Sequence, residues 1–414
     1  MGNSISKLQK KSVIVYSEGN RRGTMIPRLI EKEILKLIKG FPILALTGPR
    51  QSGKSTLIKG LFKDEYDYVS LENLDTRAFA QKDPRGFLEK YRKKVIFDEA
   101  QLVPELFSYL QEIVDEDQIP GQFILTGSQH FLLLEKITQS LAGRVAMLHL
   151  LPLSLAEREK TPSLEETLYR GFYPPLYTRD VEPYPWYDNY IQTYVERDLR
   201  AITNIHDLGT FQRFMKMCAA RCGQLIDLTS LGNDCGISHN TAKSWLNILE
   251  ASFITFPITP HFKNFNKRLV KTSKLYFYDT GLLCHLLDIR SPSQLSTHYL
   301  RGGIFESFVF SELMKASYNI GRRPSLYFWR DQQGHEIDCL VEHGEKLIPI
   351  EIKSGKTINS DFFSGLEHWC NLAGASPKEG YLIYGGNEDQ KRTLGNVLGW
   401  KSLADQAMNL VNHI

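Results

Sequence analysis

Cysteine is scarce in this chain, and its spacing excludes a disulfide framework. The 414 residues include six cysteines, of which only Cys218 and Cys222 are close together, and no paired C-x-x-C pattern for zinc is present. Apolar runs near the roughly 20 residues of a membrane span are also missing, and the N-terminus lacks the apolar core of a secretory signal. These absences favour a protein of the reducing cytoplasm with no membrane partner.

A strong charge excess of either sign is missing as well. The 50 basic and 47 acidic residues leave a net charge of +3, so bulk electrostatics neither demand nor exclude nucleic acid. Hydrophobic residues make up 42% and charged residues 23%, which excludes a disordered chain. At roughly 150 residues per domain, the length predicts two or three domains.

Changes of pattern divide the chain into five segments. Residues 1–24 form a polar, basic N-terminal extension, and residues 25–160 alternate short apolar strands with helical patterns, which is typical of a parallel α/β sheet. Residues 161–205 are punctuated by prolines and predict a connecting segment. Residues 206–300 begin with three predicted helices and end in two strands, and residues 301–414 predict a mixed α/β domain.

A phosphate-binding loop is the strongest local signal. The segment from Gly48 to Ser55 satisfies G-x-x-x-x-G-K-S/T directly after a predicted strand and before a predicted helix. Backbone N–H groups of such a loop point at phosphate oxygens, together with the positive end of the helix dipole. Lys54 is expected to reach the β and γ phosphates of ATP, and Ser55 to bind Mg²⁺. The residues assigned to nucleotide binding are Gly48, Pro49, Arg50, Gln51, Ser52, Gly53, Lys54, Ser55 and Thr56.

A second predicted strand, beginning at Val95, ends in two acids, Asp98 and Glu99. Asp98 would hold a magnesium-bound water, whereas Glu99, with no metal to neutralise, would orient or deprotonate the attacking water. The plain alternative is that the two acids solvate a strand end. The pairing of this strand with a phosphate-binding loop predicts an ATPase.

Polar residues also follow the next predicted strand. Ser128 and Gln129 come where a sensor of the γ-phosphate would lie between the two strands, although a simple turn is the alternative. Arg144 would neutralise transition-state charge in its own chain or in a neighbour's, or else form a surface ion pair. The sequence therefore leaves a homo-oligomer open.

Several motifs together resemble the prokaryotic AAA-type ATPases that carry a conserved C-terminal domain of unassigned function. The resemblance runs from Met25 onward and implies ATP and Mg²⁺ as cofactors. The chain departs from the family at Gln129 and His130, where small serines are more usual, so the sensor assignment is less secure. The motifs are Arg50, Asp98 to Gln101, Leu125 to Ser128, Leu141 to Arg144 and Pro152 to Ser154.

The middle segment has the pattern of a helix-turn-helix. Two short predicted helices are joined at Cys235 to Ser238, and Ser238 is a natural N-cap for the second helix, from Asn240 to Glu250. Basic residues surround the hairpin that follows, as in the wing of a winged helix. They are Lys263, Lys267, Arg268, Lys271 and Lys274.

Two interpretations of this segment remain. As a DNA reader, it would present His239, Asn240, Lys243 and Ser244 to the major groove. As a connector or a protein adaptor, the same helix would pack on its neighbours, and Trp245 supplies apolar surface for that.

The C-terminal segment brings acids and a lysine into register. Glu306 falls on a predicted helix, Asp338 within a strand, and Glu351 and Lys353 at the end of the next strand. Alternation places Glu351 and Lys353 on one face. Asp338 and Glu351, with the Ile352 carbonyl, would bind Mg²⁺ or Mn²⁺, and Lys353 would orient or activate the attacking water.

This order and spacing resemble the PD-(D/E)XK nuclease fold. Members of the ATPase family named above carry such a domain, which typically begins with a pair like Phe305 and Glu306. The segments from Trp329 to Asp331 and from Gly334 to Ile337 precede the acid strand as the resemblance implies. A fold retained for binding after loss of cleavage is the alternative, although two acids would repel one another without a cation.

The sequence thus predicts an α/β protein with three parts: an AAA-type P-loop NTPase sheet, a winged helix-turn-helix domain and a PD-(D/E)XK nuclease-like domain. The leading hypothesis is an ATPase that controls a module acting on DNA. A switch or scaffold that binds DNA or protein without cleavage is the second. A metabolic kinase is the third, but it leaves two domains unexplained.

Overall fold

The computed structural model describes residues 25–128, 141–158, 163–195, 207–262 and 271–412. Two β-sheets organise them, a five-stranded sheet near the N-terminus and an eight-stranded sheet toward the C-terminus. Among the described residues, no helix combines the length and the apolar character that crossing a membrane requires.

The first sheet is parallel throughout, and its strand order is β2-β3-β4-β1-β5. Its central strands are fully buried because helices cover both faces, which explains their continuous apolar runs. The short strands predicted within residues 25–160 are confirmed, and five of them form this sheet. They are β1 Ile43–Thr47, β2 Asp67–Ser70, β3 Val95–Asp98, β4 Phe123–Gly127 and β5 Val145–His149.

Helices join these strands on both faces of the sheet. Those of the first unit are α1 Glu31–Leu37, α2 Lys54–Phe62, α3 Leu74–Lys82, α4 Pro84–Lys90 and α5 Leu106–Asp117.

A run of short helices leads out of the first unit. They are α6 Leu164–Arg170, α7 Pro175–Thr178 and α8 Pro183–Tyr190. The last of these helices opens with a proline at its first position. The helix begins at Pro183, because proline fits the first turn, where its missing N–H removes no helical hydrogen bond.

Three further helices confirm the predicted helical part of the middle segment. They are α9 Leu208–Ala220, α10 Leu228–Cys235 and α11 His239–Ala251. The side chain of Ser238 accepts a hydrogen bond from the N–H of Thr241, so the predicted N-cap is confirmed. Asp227 caps α10 in the same way.

An antiparallel hairpin follows, formed by β6 Thr255–Pro260 and β7 Lys274–Phe277. A bridge between Leu225 and Lys274 attaches the segment before α10 to this hairpin. The end of β6 also pairs with the strand that follows the hairpin in the chain, where Thr259 lies opposite Tyr327. The hairpin therefore forms one edge of the eight-stranded sheet.

The eight-stranded sheet has the order β12-β13-β11-β10-β9-β8-β6-β7. Asp338 lies within a strand, and Glu351 and Lys353 lie at the end of the next one, as the sequence predicted. The remaining strands are β8 Leu326–Arg330, β9 Glu336–His343, β10 Lys346–Lys353, β11 Tyr381–Tyr384, β12 Gln390–Arg392 and β13 Gly395–Gly399. The helices that accompany them are α12 Thr280–Leu286, α13 Pro292–Thr297, α14 Arg301–Asn319, α15 Ser364–Ala373 and α16 Leu403–Val411.

One hydrophobic core extends from Leu151 through the middle helices to Val411, so the middle and C-terminal parts pack against a shared interior. Helix α14 runs through this interior and is buried along most of its 19 residues. It also carries a buried ion pair between Glu312 and Lys315, 2.9 Å long, with both side chains 2% exposed.

Breaking this ion pair is expected to destabilise the unit around α14. The Glu312 carboxylate also accepts the N–H of Leu155, and the Lys315 ammonium lies 3.8 Å from the centroid of the Phe172 ring. Lys315→Met leaves a buried carboxylate without its cation, which we expect to cost about 3–5 kcal/mol of unfolding free energy. Urea unfolding measures this cost, with the exposed Lys32→Met as control. An unchanged midpoint for Lys315→Met contradicts the prediction.

Candidate functional site

The loop between β1 and α2 has the backbone that phosphate binding needs. Gly48 has φ of +152°, and a Cβ there would lie 2.1 Å from the carbonyl oxygen of Leu150, so only glycine fits. Gly53 has φ of +96° and is the N-cap of α2. The N-terminus of a helix therefore points into the loop, which favours an anion.

Lys54 lies against this loop and is 5% exposed. Its Nζ donates hydrogen bonds to the carbonyl oxygens of Gly48 (2.9 Å) and Pro49 (2.8 Å). Arg50 forms a 3.7 Å ion pair with Glu72 at the rim, and Thr56 is exposed on the first turn of α2. The Lys54 ammonium is thus held beside the loop, where the phosphates would bind.

Asp98 and Ser55 are brought together as magnesium binding requires. The Ser55 hydroxyl donates to Asp98 Oδ1 (2.8 Å) and Oδ2 (3.1 Å). Tyr68 and Thr126 also donate hydrogen bonds to this carboxylate, which is 6% exposed. Burial, followed by the hydrogen bond to Asp98, raises the pKa of Tyr68, so its phenol remains a donor. A hydroxyl beside a fixed carboxylate fits the oxygen ligands that Mg²⁺ prefers.

Glu99 adopts the left-handed backbone conformation, with φ of +56°. Its Oε2 accepts a hydrogen bond from the Ser128 hydroxyl at 2.9 Å, and it also contacts the Gln101 amide. A non-glycine residue in this conformation costs on the order of 1–3 kcal/mol and is concentrated at functional sites. The carboxylate is thus aimed by neighbours and backbone, as a water-activating group requires.

Strand β4 lies between β1 and β3, which is where the sequence placed a γ-phosphate sensor. Ser128 follows this strand and is 5% exposed. Gln129, the alternative sensor, lies outside the described residues. Ser128 reaches the nucleotide site through its contact with Glu99, and its role as a sensor stays a prediction.

Arg144 is not brought to the phosphate-binding loop of its own chain. Its carbonyl accepts the N–H of Ile43, at the start of β1, whereas the loop follows the end of that strand. Its guanidinium pairs with Asp115 at 2.5 and 2.7 Å on the surface. A contribution to catalysis would therefore have to come in a neighbouring chain.

Arg28 is a positioning residue that sequence reasoning missed. It is 7% exposed and donates to the carbonyls of Ser52 (2.8 Å) and Leu151 (2.7 Å), while its Nε lies 3.2 Å from Glu157. It thereby fixes the loop to the segment after β5. No local pattern distinguishes this arginine from other arginines, because its side-chain partners are all distant in sequence.

The C-terminal acids meet at the centre of the second sheet. The Lys353 ammonium lies 2.9 Å from Asp338 Oδ2 and 2.6 Å from Glu351 Oε2, so two carboxylates share one cation. The N–H of Ile352 also donates to Asp338 Oδ2 at 2.8 Å. The prediction that Glu351 and Lys353 share a face of β10 is confirmed.

Two further residues complete this acid cluster. Glu306 on α14 accepts a 2.7 Å hydrogen bond from the Tyr276 hydroxyl. Lys274 pairs with Glu336 and is 5% exposed. The assignment of Lys274 to a basic wing was therefore wrong, since the pairing of β7 turns this side chain into the cluster and away from solvent.

The cluster contains more carboxyl groups than lysines. Burial and then repulsion from Asp338 raise the pKa of Glu306 to about 7, and the same two effects raise the pKa of Glu351. Although burial opposes it, the Lys353 and Lys274 ammonium groups lower the pKa of Asp338. Closely spaced carboxylates of this kind fit a divalent cation.

Helix α11 presents one polar side to solvent. His239, Asn240, Lys243 and Ser244 are exposed, whereas Trp245 packs into the core. This arrangement fits both interpretations of the segment, the DNA reader and the connector or protein adaptor. Lys271 is exposed, and the other basic residues assigned to the wing, Lys263, Lys267 and Arg268, lie outside the described residues.

Comparison with known families divides the chain into three matched regions. Residues 40–159 match the AAA domain family. Residues 161–293 match a domain of unknown function, DUF8612, and residues 301–403 match a second one, DUF4143.

Similar proteins occur in several bacteria. The uncharacterized proteins Rv2008c of Mycobacterium tuberculosis and Mb2031c of Mycobacterium bovis are each 33% identical over 321 residues, which covers 76% of this chain and 71% of each relative. An uncharacterized protein of Haemophilus influenzae is 22% identical over 351 residues, covering 75% of this chain and 82% of that protein. The solved Walker-type ATPase PABY2304 of Pyrococcus abyssi aligns with a TM-score of 0.43 and 14% identity, covering 66% of this chain and 99% of that one.

Proposed function

Because the chain belongs to the family of the mycobacterial proteins Rv2008c and Mb2031c and carries an AAA-type P-loop domain followed by a DUF4143 domain, we propose that it hydrolyses ATP. The nucleotide state then controls a module that binds and cuts DNA. The observation that carries the first step is the meeting of Ser55, Asp98, Glu99 and Ser128 beside Lys54.

The chain's own residues divide the work of hydrolysis. Lys54 and the loop N–H groups bind the phosphates, while Ser55 and Asp98 would hold Mg²⁺, which supplies charge neutralisation when bound. Glu99 orients the attacking water and accepts its proton, and Ser128 holds the Glu99 carboxylate in place. Each of these roles matches the position of its donor or acceptor group in the fold.

The acid cluster supports phosphodiester hydrolysis as the second activity. Asp338 and Glu351 offer hard oxygen ligands for Mg²⁺ or Mn²⁺, which would polarise the scissile phosphate when bound. Lys353 lies within hydrogen-bonding distance of both acids, so its ammonium is positioned to orient the attacking water. The shared ammonium and the raised pKa of Glu351 support a site built for a cation.

Three helices followed by a hairpin support a winged-helix interpretation of the middle part. Exposed side chains at His239, Asn240, Lys243 and Ser244 recur along one side of α11, as on a helix that enters the major groove. Trp245 faces the core and fixes the orientation of the helix. The bridge at Leu225 adds a third short strand segment to the hairpin.

A chain of polar contacts supports coupling between the two sites. Arg28 binds the loop carbonyl of Ser52 and pairs with Glu157. Glu157 caps a short helical turn by accepting the N–H of Ser154, and the next N–H in that turn donates to Glu312 on α14 at 2.7 Å. Helix α14 also carries Glu306 of the acid cluster. A movement of the phosphate-binding loop would therefore be transmitted to that cluster through these contacts.

A second series of contacts connects β1, the strand before the phosphate-binding loop, to the rest of the chain. The Thr47 hydroxyl lies 2.6 Å from His149 Nδ1, and the His149 ring packs edge-on against Tyr318 of α14, with centroids 4.9 Å apart. The same ring lies 5.9 Å from that of Phe253, just after α11. One imidazole therefore joins the nucleotide strand to both of the other parts.

A cleavage assay on supercoiled plasmid, with Mg²⁺ or Mn²⁺ and with or without ATP, tests the proposal. We expect wild type to cleave, ATP to alter the rate, and Lys353→Ala to lose cleavage because the water-orienting cation is gone. Lys356→Ala is the matched control, since this lysine is 62% exposed and pairs with Glu165. Equal results for wild type and Lys353→Ala would favour the switch or scaffold alternative.

The polar side of α11 gives a separate prediction for DNA binding. If Lys243 contacts a phosphate, Lys243→Ala should weaken duplex binding and reduce the slope of log K against log salt by about one unit. Lys216→Ala removes another exposed lysine, from α9, and serves as control. Fluorescence anisotropy at several salt concentrations provides the measurement, and an unchanged slope for Lys243→Ala would favour a protein adaptor.

A further inference from the structure

A third group of polar side chains lies at the turn between β8 and β9, outside both sites described above. Asp331, His335 and His368 each offer one ligand atom, and these atoms all lie within 4.8 Å of one another. Asp331 follows the end of β8, His335 precedes β9, and His368 comes from α15. Residues from the turn and from α15 thus converge, and formation of the turn alone does not require His368 to be there.

The turn itself fixes two of the three residues. Asp331 Oδ1 accepts the N–H groups of Gln333 (2.9 Å) and His335 (3.0 Å), and Asp331 Oδ2 lies 3.1 Å from His335 Nδ1. Gly334, with φ of +93°, allows the chain to reverse between them. The carboxylate is 1% exposed, so its orientation is set by these contacts.

The third residue, His368, is supplied by helix α15 and packs against His335. The rings of His335 and His368 stack with centroids 3.8 Å apart and planes 11° from parallel. The side chain of His335 is 43% exposed, which leaves the pair accessible from solvent. Two imidazoles and one buried carboxylate therefore line a position that a dissolved ion can reach.

We propose that Asp331, His335 and His368 bind a first-row transition-metal ion, for which Zn²⁺ is the appropriate probe. Two imidazole nitrogens and one carboxylate oxygen match the ligands of Zn²⁺, whereas Mg²⁺ prefers oxygen alone. Three protein ligands leave a fourth position, on the side of His335, for water or an added ligand. This site differs in ligand type from the all-oxygen acid cluster.

The ion would also tie α15 to the β8–β9 turn. One turn before His368, Gly365 packs on the acid cluster so closely that a Cβ there would lie 1.9 Å from Glu351 Oε1. Holding His368 therefore holds the helix that covers Glu351. Metal binding by the three residues stands whether or not the acid cluster cleaves DNA, because it uses other side chains.

The test of the proposal is zinc binding by the full chain. The protein is expressed without a histidine tag and stripped of metal with a chelator. We expect wild type to bind one equivalent of Zn²⁺ in calorimetry, and His335→Ala and His368→Gln to weaken it by about 100-fold or more. Asp338→Asn should keep this equivalent, since it alters only the acid cluster. His239→Ala, which removes an exposed imidazole from α11, should also keep it.

Cobalt supplies a spectroscopic readout of the ligands around the ion. Co²⁺ bound to wild type is expected to show visible ligand-field bands, which disappear in His335→Ala while its circular dichroism spectrum stays that of wild type. The His335 side chain is 43% exposed and leaves no buried space empty when truncated, so its truncation should not prevent folding. Equal uptake of Zn²⁺ by wild type and by the His335→Ala, His368→Gln double variant overturns the proposal. A wild type that binds no Zn²⁺ overturns it as well.

Discussion

Glu99→Gln is expected to leave ATP binding intact and to lower hydrolysis by a factor on the order of 10²–10⁴, the range for loss of a general base. Glutamine keeps the shape of the side chain and can still meet the Ser128 hydroxyl, but it has no basic carboxylate to accept a proton from water. Steady-state phosphate release and equilibrium binding of a labelled nucleotide measure the two properties separately. Glu105→Gln, an exposed change in the segment after β3, is the control.

Lys54→Ala should give the contrasting result, in which binding itself is lost. Its ammonium is held against the loop carbonyls of Gly48 and Pro49, so removing it takes away the charge that meets the β and γ phosphates. The two variants therefore separate binding from turnover. Hydrolysis by Glu99→Gln at the wild-type rate would show that the role given to Glu99 is wrong.

Asp338→Asn is expected to abolish DNA cleavage while ATPase activity and DNA binding remain largely intact. The change removes an anionic ligand without adding bulk, and the amide oxygen of the substituted side chain can still accept the N–H of Ile352, as the Asp338 carboxylate does. Plasmid cleavage, phosphate release and duplex binding measured on one preparation give the three readouts.

The control for this variant is Glu345→Gln, which neutralises an exposed acid in the turn between β9 and β10. Manganese binding adds a second test, because Asp338→Asn should lose an ion that Glu345→Gln retains. Cleavage by Asp338→Asn at the wild-type rate would remove the acid cluster from the nuclease proposal and leave the ATPase assignment untouched.

Contiguous patterns in the sequence were enough to predict the phosphate-binding loop and the acid-ended strand beside it. Gly48 to Ser55 and the strand ending in Asp98 carry their own geometry, because a glycine-rich loop between a buried strand and a helix has few conformations. The alternation in β10 likewise predicted that Glu351 and Lys353 share a face. In each case the decisive contacts follow from spacing within one element.

Other features depended on packing between segments far apart in the chain. Arg28 holds the loop, Lys274 joins the acid cluster, and Arg144 lies at the opposite end of the sheet from the loop. No local signal marks these residues, since a lone arginine or lysine has the same pattern on a surface and in a buried contact.

The sequence by itself thus determined the strands of the first sheet, the three helices of the middle segment and the residues of the phosphate-binding loop, because hydrophobic periodicity and glycine spacing act over a few neighbouring residues. Only the tertiary structure decided which strand neighbours which and which distant side chains meet. It placed β4 between β1 and β3, attached the β6–β7 hairpin to the second sheet, and brought His368 onto His335. These contacts join residues separated by tens of positions, and they form because burying apolar faces of helices and sheets against a common core fixes their relative placement.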